Sequence, residues 1–416
     1  MDTTALKQNL LKSIEKFEVI DCHEHLRPEK VRLEKKVDVF TFFSHYCHWD
    51  LLTAGMPDAS YQALYNHNLP LDYRWDSFEP YWENIRYGCY ATTALISAKK
   101  FYGVDDINRK TYRALSEAIQ KNNTPGLYER VLKDACNIRT TLNQCGITDT
   151  ESPLLTPILW IPLNDSVSSI LDFSSDTPIR TLDDYIYAMK KWILKVKSEG
   201  VVALKHIIRP YYEPNRADAL ECFNTIMNGG TPFTWRGTGG LEPFTRRNPM
   251  HDYVLDEVFK FAGQQDMPIA VHAGVWGDFR ELDPKHMIPV LTRHPNVRFD
   301  LYHLGYPYVR DTIMMGKSFP NVWVNLAWVH TVSKKATYEA LDELIDTVPM
   351  NKILGFGGDY ETPVEKAYGH LVMARDNIAG VLAGRVAAKH MTEDQALTIA
   401  KKWLFDNPVE LYRLKF

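Results

Sequence analysis

The sequence predicts an α/β fold, a single (β/α)8 barrel with a helical insertion after its first strand, and three observations predict it. Eight short apolar runs rich in β-branched residues recur along the 416 residues, and segments of helical period separate them. Strands buried on both faces read as continuous apolar runs, and alternation with helices makes the sheet parallel, so eight such units suggest closure into a barrel. Polar, chemistry-bearing residues sit at the ends of several runs, where barrel enzymes carry their sites.

The runs are, in order, "EVIDCH" at 18–23, "IRTTLNQ" at 138–144, "LLTPILWIPL" at 154–163 and "GVVALKHII" at 200–208. The second half continues with "MPIAVHAG" at 267–274, "VRFDLYHLG" at 297–305, "NVWVNLAW" at 321–328 and "KILGFGGD" at 352–359. The helix before the fourth run shows the alternation. Ile186, Met189, Ile193 and Val196 recur at spacings of three and four, Thr181 and Asp184 form a capping-box pattern, and Gly200 can stop the helix. Residues 1–416 are therefore expected to form one domain, with a helical, aromatic-rich insertion over about 40–135 and closing helices over about 365–416. The aromatics of "PLDYRWDSFEPYWENIRYGCY" exceed what a covering segment needs and predict a homo-oligomer through a subunit interface.

Bulk composition excludes several classes. Hydrophobic residues at 45% and charged residues at 24% suit a globular protein with a large core, not a disordered one. A net charge of -4, with lysine and arginine dispersed, predicts no nucleic-acid and no membrane-surface partner. Six cysteines at irregular spacing lack a Cys-x-x-Cys pair or the density of a disulfide scaffold. The opening "MDTTALKQNLLKSIEKF" reads as an amphipathic helix without the features of a signal peptide, so a cytoplasmic location is expected.

The chemistry begins in "VIDCHEHL", residues 19–26. Side chains alternate along a strand, so His23 and His25 face one way and Glu24 the other. Taken alone, such a pair is more often surface or core histidine than ligand. Four more polar residues close later runs: Lys205 in "VALKH", His272 in "IAVHAG", His303 in "LYHLG" and Asp359 in "GFGGDY". Imidazoles with a carboxylate suit zinc, manganese or iron, and five strand ends bearing this set favour a metal centre over separate buried or capping roles.

This order of His-x-His, Lys, His, His and Asp on strands one, four, five, six and eight resembles the amidohydrolase superfamily. The stretches "YHLGYPYVRD", "LTRHPNV", "DLLTAGMP" and "DNPVELYRL" are similar to its amidohydrolase-related branch, which includes uronate isomerase-like and nodulin-like proteins. The resemblance implies that His23, His25, His272 and Asp359 are metal ligands. It makes His303 a ligand of a second metal or a group that polarises the substrate. Lys205 is then either a carboxylated lysine bridging two metals or an ammonium that binds a substrate carboxylate; uronate isomerases proper lack it. One or two divalent ions, zinc first, are expected, with Asp359, His303 and Lys205 as catalytic residues.

Substrate signals are sparser. Arg209, four residues past Lys205, is the favoured clamp for an anionic small molecule, whereas Arg236, Arg246 and Arg247 read as surface or subunit contacts. Trp49 and Trp276 are candidates to line the mouth, with Asp50 and Asp278 beside them; His45 and His48 read as pocket-wall or surface residues. The leading expectation is a metal-dependent hydrolase that cleaves an amide, ester or lactone of a small carboxylate-bearing molecule through a metal-activated water. A uronate-type isomerase or a metal-dependent decarboxylase on the same site is the alternative, and a binding protein without turnover is the third.

Overall fold

Eight strands form one sheet in chain order: β1 Val19–Glu24, β2 Ile138–Asn143, β3 Leu155–Trp160, β4 Ala203–Ile207, β5 Ile269–His272, β6 Phe299–Leu301, β7 Val322–Asn325 and β8 Ile353–Leu354. They are seen in a computed structural model that describes residues 2–144, 152–173, 177–230, 248–275 and 278–416. Each strand overlaps the apolar run that predicts it. Neighbouring strands pair in parallel, Glu24 opposite Asn143, Ile207 opposite His272 and Leu301 opposite Val324. An unbroken order of parallel strands joined by helices is the (β/α)8 barrel. β1 is buried along its whole length, and within it the Cys22 amide donates to Phe356 O at 3.1 Å, so the first strand meets the chain that leaves the last.

The chain divides into two compact units. One comprises Met1–Leu155, Leu326–Glu343 and Gly355–Asp406; the other comprises Thr156–Asn325, Leu344–Leu354 and Asn407–Phe416. In the second unit, the helix Leu182–Ser198 buries Ile186, Met189, Ile193 and Val196 as its period predicts. Thr181 Oγ1 accepts from Asp184 N at 3.1 Å, Asp184 Oδ2 accepts from Thr181 N at 2.9 Å, and Gly200 follows the helix at φ +94°.

In the first unit, helices fill the expected insertion, among them Cys47–Thr53, Leu71–Ile85, Cys89–Tyr102 and Tyr112–Asn122. Three of the aromatics read from sequence as subunit contacts lie in a core. Trp75, Phe78 and Trp82 are fully buried with Phe40 and Phe43, and Phe43 meets Phe78 and Trp82 at ring separations of 4.6 and 5.0 Å. Spacings of three and four put 75, 78 and 82 on one helix face, turned to that core. Of the large apolar side chains in that stretch, Tyr73 and Tyr87 are strongly exposed.

The long helix Glu365–Ala387 packs on Cys89–Tyr102 through Gly369. A Cβ there would lie 2.3 Å from Thr93 O and 2.9 Å from Ser97 Oγ. Gly369→Ala is therefore expected to force these helices apart and destabilise the fold by about 1–3 kcal/mol. The midpoint of thermal unfolding checks this, and an unchanged midpoint would refute the close approach. Among the described residues no helix is long and apolar enough to cross a membrane, and Cys22, Cys47, Cys89, Cys136 and Cys222 are free thiols.

Candidate metal centre

The first unit brings together three of the residues singled out in the sequence. His23 lies in β1 and His25 just beyond it, their rings 4.9 Å apart at 71°, on the shared face that alternation dictates. His23 is 1% exposed. Asp359 reaches both: its Oδ1 lies 3.0 Å from His23 Nε2 and 3.3 Å from His25 Nε2.

The chain leaving β8 is laid against β1 to achieve this. Asp359 N donates to His23 O at 2.7 Å and His25 N donates to Tyr360 O at 3.0 Å. The glycines of "GFGGD" allow the approach, because a Cβ on Gly358 would lie 1.9 Å from Glu24 Oε1 and one on Gly357 would lie 3.0 Å from His23 N. Asp359 itself is left-handed, φ +65°, in a region that aspartate tolerates better than most residues and that often marks a functional position.

The donor set fits a divalent ion. One ligand atom from each of His23, His25 and Asp359 lies within 4.8 Å of the others. Tetrahedral zinc with bonds near 2.1 Å places ligand atoms about 3.4 Å apart. The 3.0 and 3.3 Å separations to the carboxylate are close to that.

Two residues that sequence reading missed support the set. The Gln144 side-chain amide, just past β2, meets His23 Nδ1 at 2.5 Å. Coordination through Nε2 leaves the proton on Nδ1, and the amide turned by 180° presents Oε1 to accept it. Tyr46 hydrogen-bonds Asp359, and burial pushes its phenol well above the usual range, so it stays protonated and donates. Beneath them Asp21 and Glu24 hydrogen-bond each other, and burial raises both carboxyls above their ordinary values. Asp21 Oδ1 accepts from Gly358 N at 3.0 Å and Glu24 Oε2 from Tyr360 N at 2.5 Å, so the pair fastens the glycine turn to β1.

The second unit brings together two more. His272 ends β5, His303 follows β6 at φ +63°, and His303 Nε2 lies 3.0 Å from His272 Nδ1. Lys205 of β4 is buried, with Nζ 3.7 Å from the Tyr302 ring centroid and 5.8 Å from that of Trp160. Tyr302 OH meets Tyr412 OH at 3.3 Å, and Tyr412 donates to Asp300, whose carboxyl burial pushes up to about 7 against the opposing charge of Lys205.

Arg209, read as an anion clamp, is 3% exposed and gives one guanidinium nitrogen to Asp252 Oδ1 at 3.0 Å. Its Nε is buried without a hydrogen-bond partner. Beside it burial and the Arg209 charge hold His206 well below, and His251 down to about 3, so both rings are neutral. Trp49 is 52% exposed. Trp276, Arg236, Arg246 and Arg247 lie outside the described residues.

Comparison with known proteins follows the same line. Residues 236–414 match the family model described as Amidohydrolase. Over 181 residues the chain is 26% identical to protein fluG of Emericella nidulans, a match covering 41% of this chain but only 21% of that protein. Among solved structures it is similar to uronate isomerase of Thermotoga maritima, TM-score 0.77 and 16% identity over 98% of this chain and 97% of that one. Glucuronate isomerase of Caulobacter crescentus gives TM-score 0.78 and 16% identity over 100% and 95%. At these identities the structural likeness concerns the fold. Residues 236–414 thus carry the likeness to the Amidohydrolase family, and the chain as a whole shares the fold of the two isomerases.

Proposed function

We propose that this protein is a metal-dependent hydrolase of a small, carboxylate-bearing substrate, and that His23, His25 and Asp359 hold its ion, zinc in the first instance. The observation that carries the reading is the convergence of two imidazoles and a carboxylate at strand ends. A divalent ion held there supplies Lewis acidity, polarising a carbonyl and bringing the pKa of water from 15.7 toward about 7.

The chain's own groups do the rest. Asp359 accepts the proton of the attacking water and returns it to the leaving nitrogen or oxygen. Tyr46, donating to Asp359, keeps that carboxylate oriented. The motif order in the sequence, not a distance, assigns His272 as a further ligand and His303 as the group that polarises the substrate carbonyl. Lys205 is proposed as an ammonium for the substrate carboxylate, a reading supported by its position over the Tyr302 ring, where a cation is favoured.

A uronate-type isomerase is the second reading, favoured by likeness to isomerase structures over nearly the whole length of both chains. There Asp359 would move a proton between adjacent carbons instead of between water and a leaving group. Metal analysis followed by a screen of lactones, N-acyl amino acids and uronates separates the two. Hydrolysis of a lactone or acyl-amino acid, lost on chelation, is the expected result; turnover of uronates alone would replace the hydrolase with the isomerase. Lys205→Gln is expected to raise KM for the carboxylate-bearing substrate at least tenfold and to leave metal content unchanged, whereas loss of metal would assign Lys205 to the ion.

A further inference from the structure

The helical insertion and the residues just before it line a cavity of about 450 Å³, whose lining includes Lys35, Lys36, His67, Arg74, Gln120 and Asn123 and contains no carboxylate. We propose that this cavity is a binding site for a compact oxyanion, of phosphate or carboxylate type, held by Lys35, Lys36 and Arg74 with His67 as a hydrogen-bonding partner.

Arg74 anchors the site. Its side chain is 5% exposed and its guanidinium lies over the Phe40 ring at 5.2 Å, and Nη1 donates to Asp38 Oδ2 at 2.6 Å and to Leu64 O at 2.7 Å. Its Nε, also buried, has no hydrogen-bond partner. A buried donor left without a partner is unfavourable, and an oxyanion entering the cavity would relieve it. Asp38 is committed, taking Arg74 and lying 3.5 Å from His67 Nδ1. Among the described residues neither lysine pairs with a carboxylate, and Lys35 Nζ donates only to Thr362 Oγ1 at 3.3 Å.

Charge bookkeeping points the same way. Two lysines and one arginine against Asp38 leave two positive charges around an open hollow, an arrangement that attracts a small anion. His67 reports on it: burial first, then Arg74 and Lys36, hold its pKa down against the opposing charge of Asp38, so an anion arriving beside it would raise that pKa.

The test uses the full chain and inorganic phosphate, with citrate as the carboxylate arm, each against sodium chloride at equal ionic strength. Both the unfolding midpoint and the His67 ring titration are followed. Phosphate or citrate, but not chloride, is expected to raise the midpoint and the His67 pKa, and the larger response names the oxyanion. Lys35→Gln with Lys36→Gln, at two exposed positions, is expected to raise the half-effective concentration at least tenfold. Lys335→Gln with Lys389→Gln, the same charge change elsewhere, is expected to leave it unmoved. His25→Ala is expected to keep the anion response, which separates this site from the metal centre and lets either proposal fail alone. Equal responses to chloride and phosphate, an undiminished response in the Lys35/Lys36 variant, or its loss in His25→Ala would each overturn the site.

Discussion

His25→Ala is expected to lower metal affinity by at least about 100-fold and to abolish turnover while the barrel stays folded. Changes in groups that merely orient a ligand typically lose 10–100-fold, and His25 is itself a ligand in the proposed centre. Its side chain is 28% exposed, so truncation leaves a modest hollow at the strand end and not a void in the core. His23→Ala should act on metal in the same way, with some added loss of stability because this ring is buried. Gln144→Ala gives the graded comparison. It removes only the partner of His23 Nδ1, so its effect on affinity should be about tenfold and smaller than that of either histidine. Metal content after dialysis, read beside circular dichroism, decides the matter. Full metal and normal turnover in both histidine variants would return His23 and His25 to ordinary strand-end residues.

The barrel was legible because each strand carries a continuous apolar run, and burial on both faces leaves no other pattern for a parallel sheet. The facing of His23 and His25 was legible for an equally local reason, the period of two along β1. Long-range approaches carry no such period. Asp359 meets His23 across more than three hundred residues only because Gly357 and Gly358 let one backbone lie against another, and "GFGGD" reads from sequence merely as a strand ending. Gln144 and Tyr46 touch the set from a strand end and from the insertion, with no spacing that marks them. The pairing of Arg209 with Asp252 carries no such period either, because another element supplies Asp252 43 positions later. For Trp75, Phe78 and Trp82 the period was present, and abundance of aromatics was mistaken for exposure.

Asp359→Asn is expected to lower kcat by about 100- to 10,000-fold, the range general acid–base groups supply, with a much smaller effect on KM and on metal content. The change is well suited to isolating the proton. Asparagine accepts the left-handed backbone found at φ +65°, so the turn beside β1 should persist, and its Asp359 N to His23 O hydrogen bond does not involve the side chain. The amide oxygen can still face His23 and His25 and can still accept from Tyr46, so position is retained. What is lost is a carboxylate able to take a proton from water and give it back. An amide has no such capacity at neutral pH. If kcat falls by only a few-fold, Asp359 is a ligand and the proton passes through another group; if metal is lost in step with kcat, its charge matters for holding the ion and the proton-carrying role has no support. A large fall in kcat with the metal retained is the outcome that assigns Asp359 both tasks.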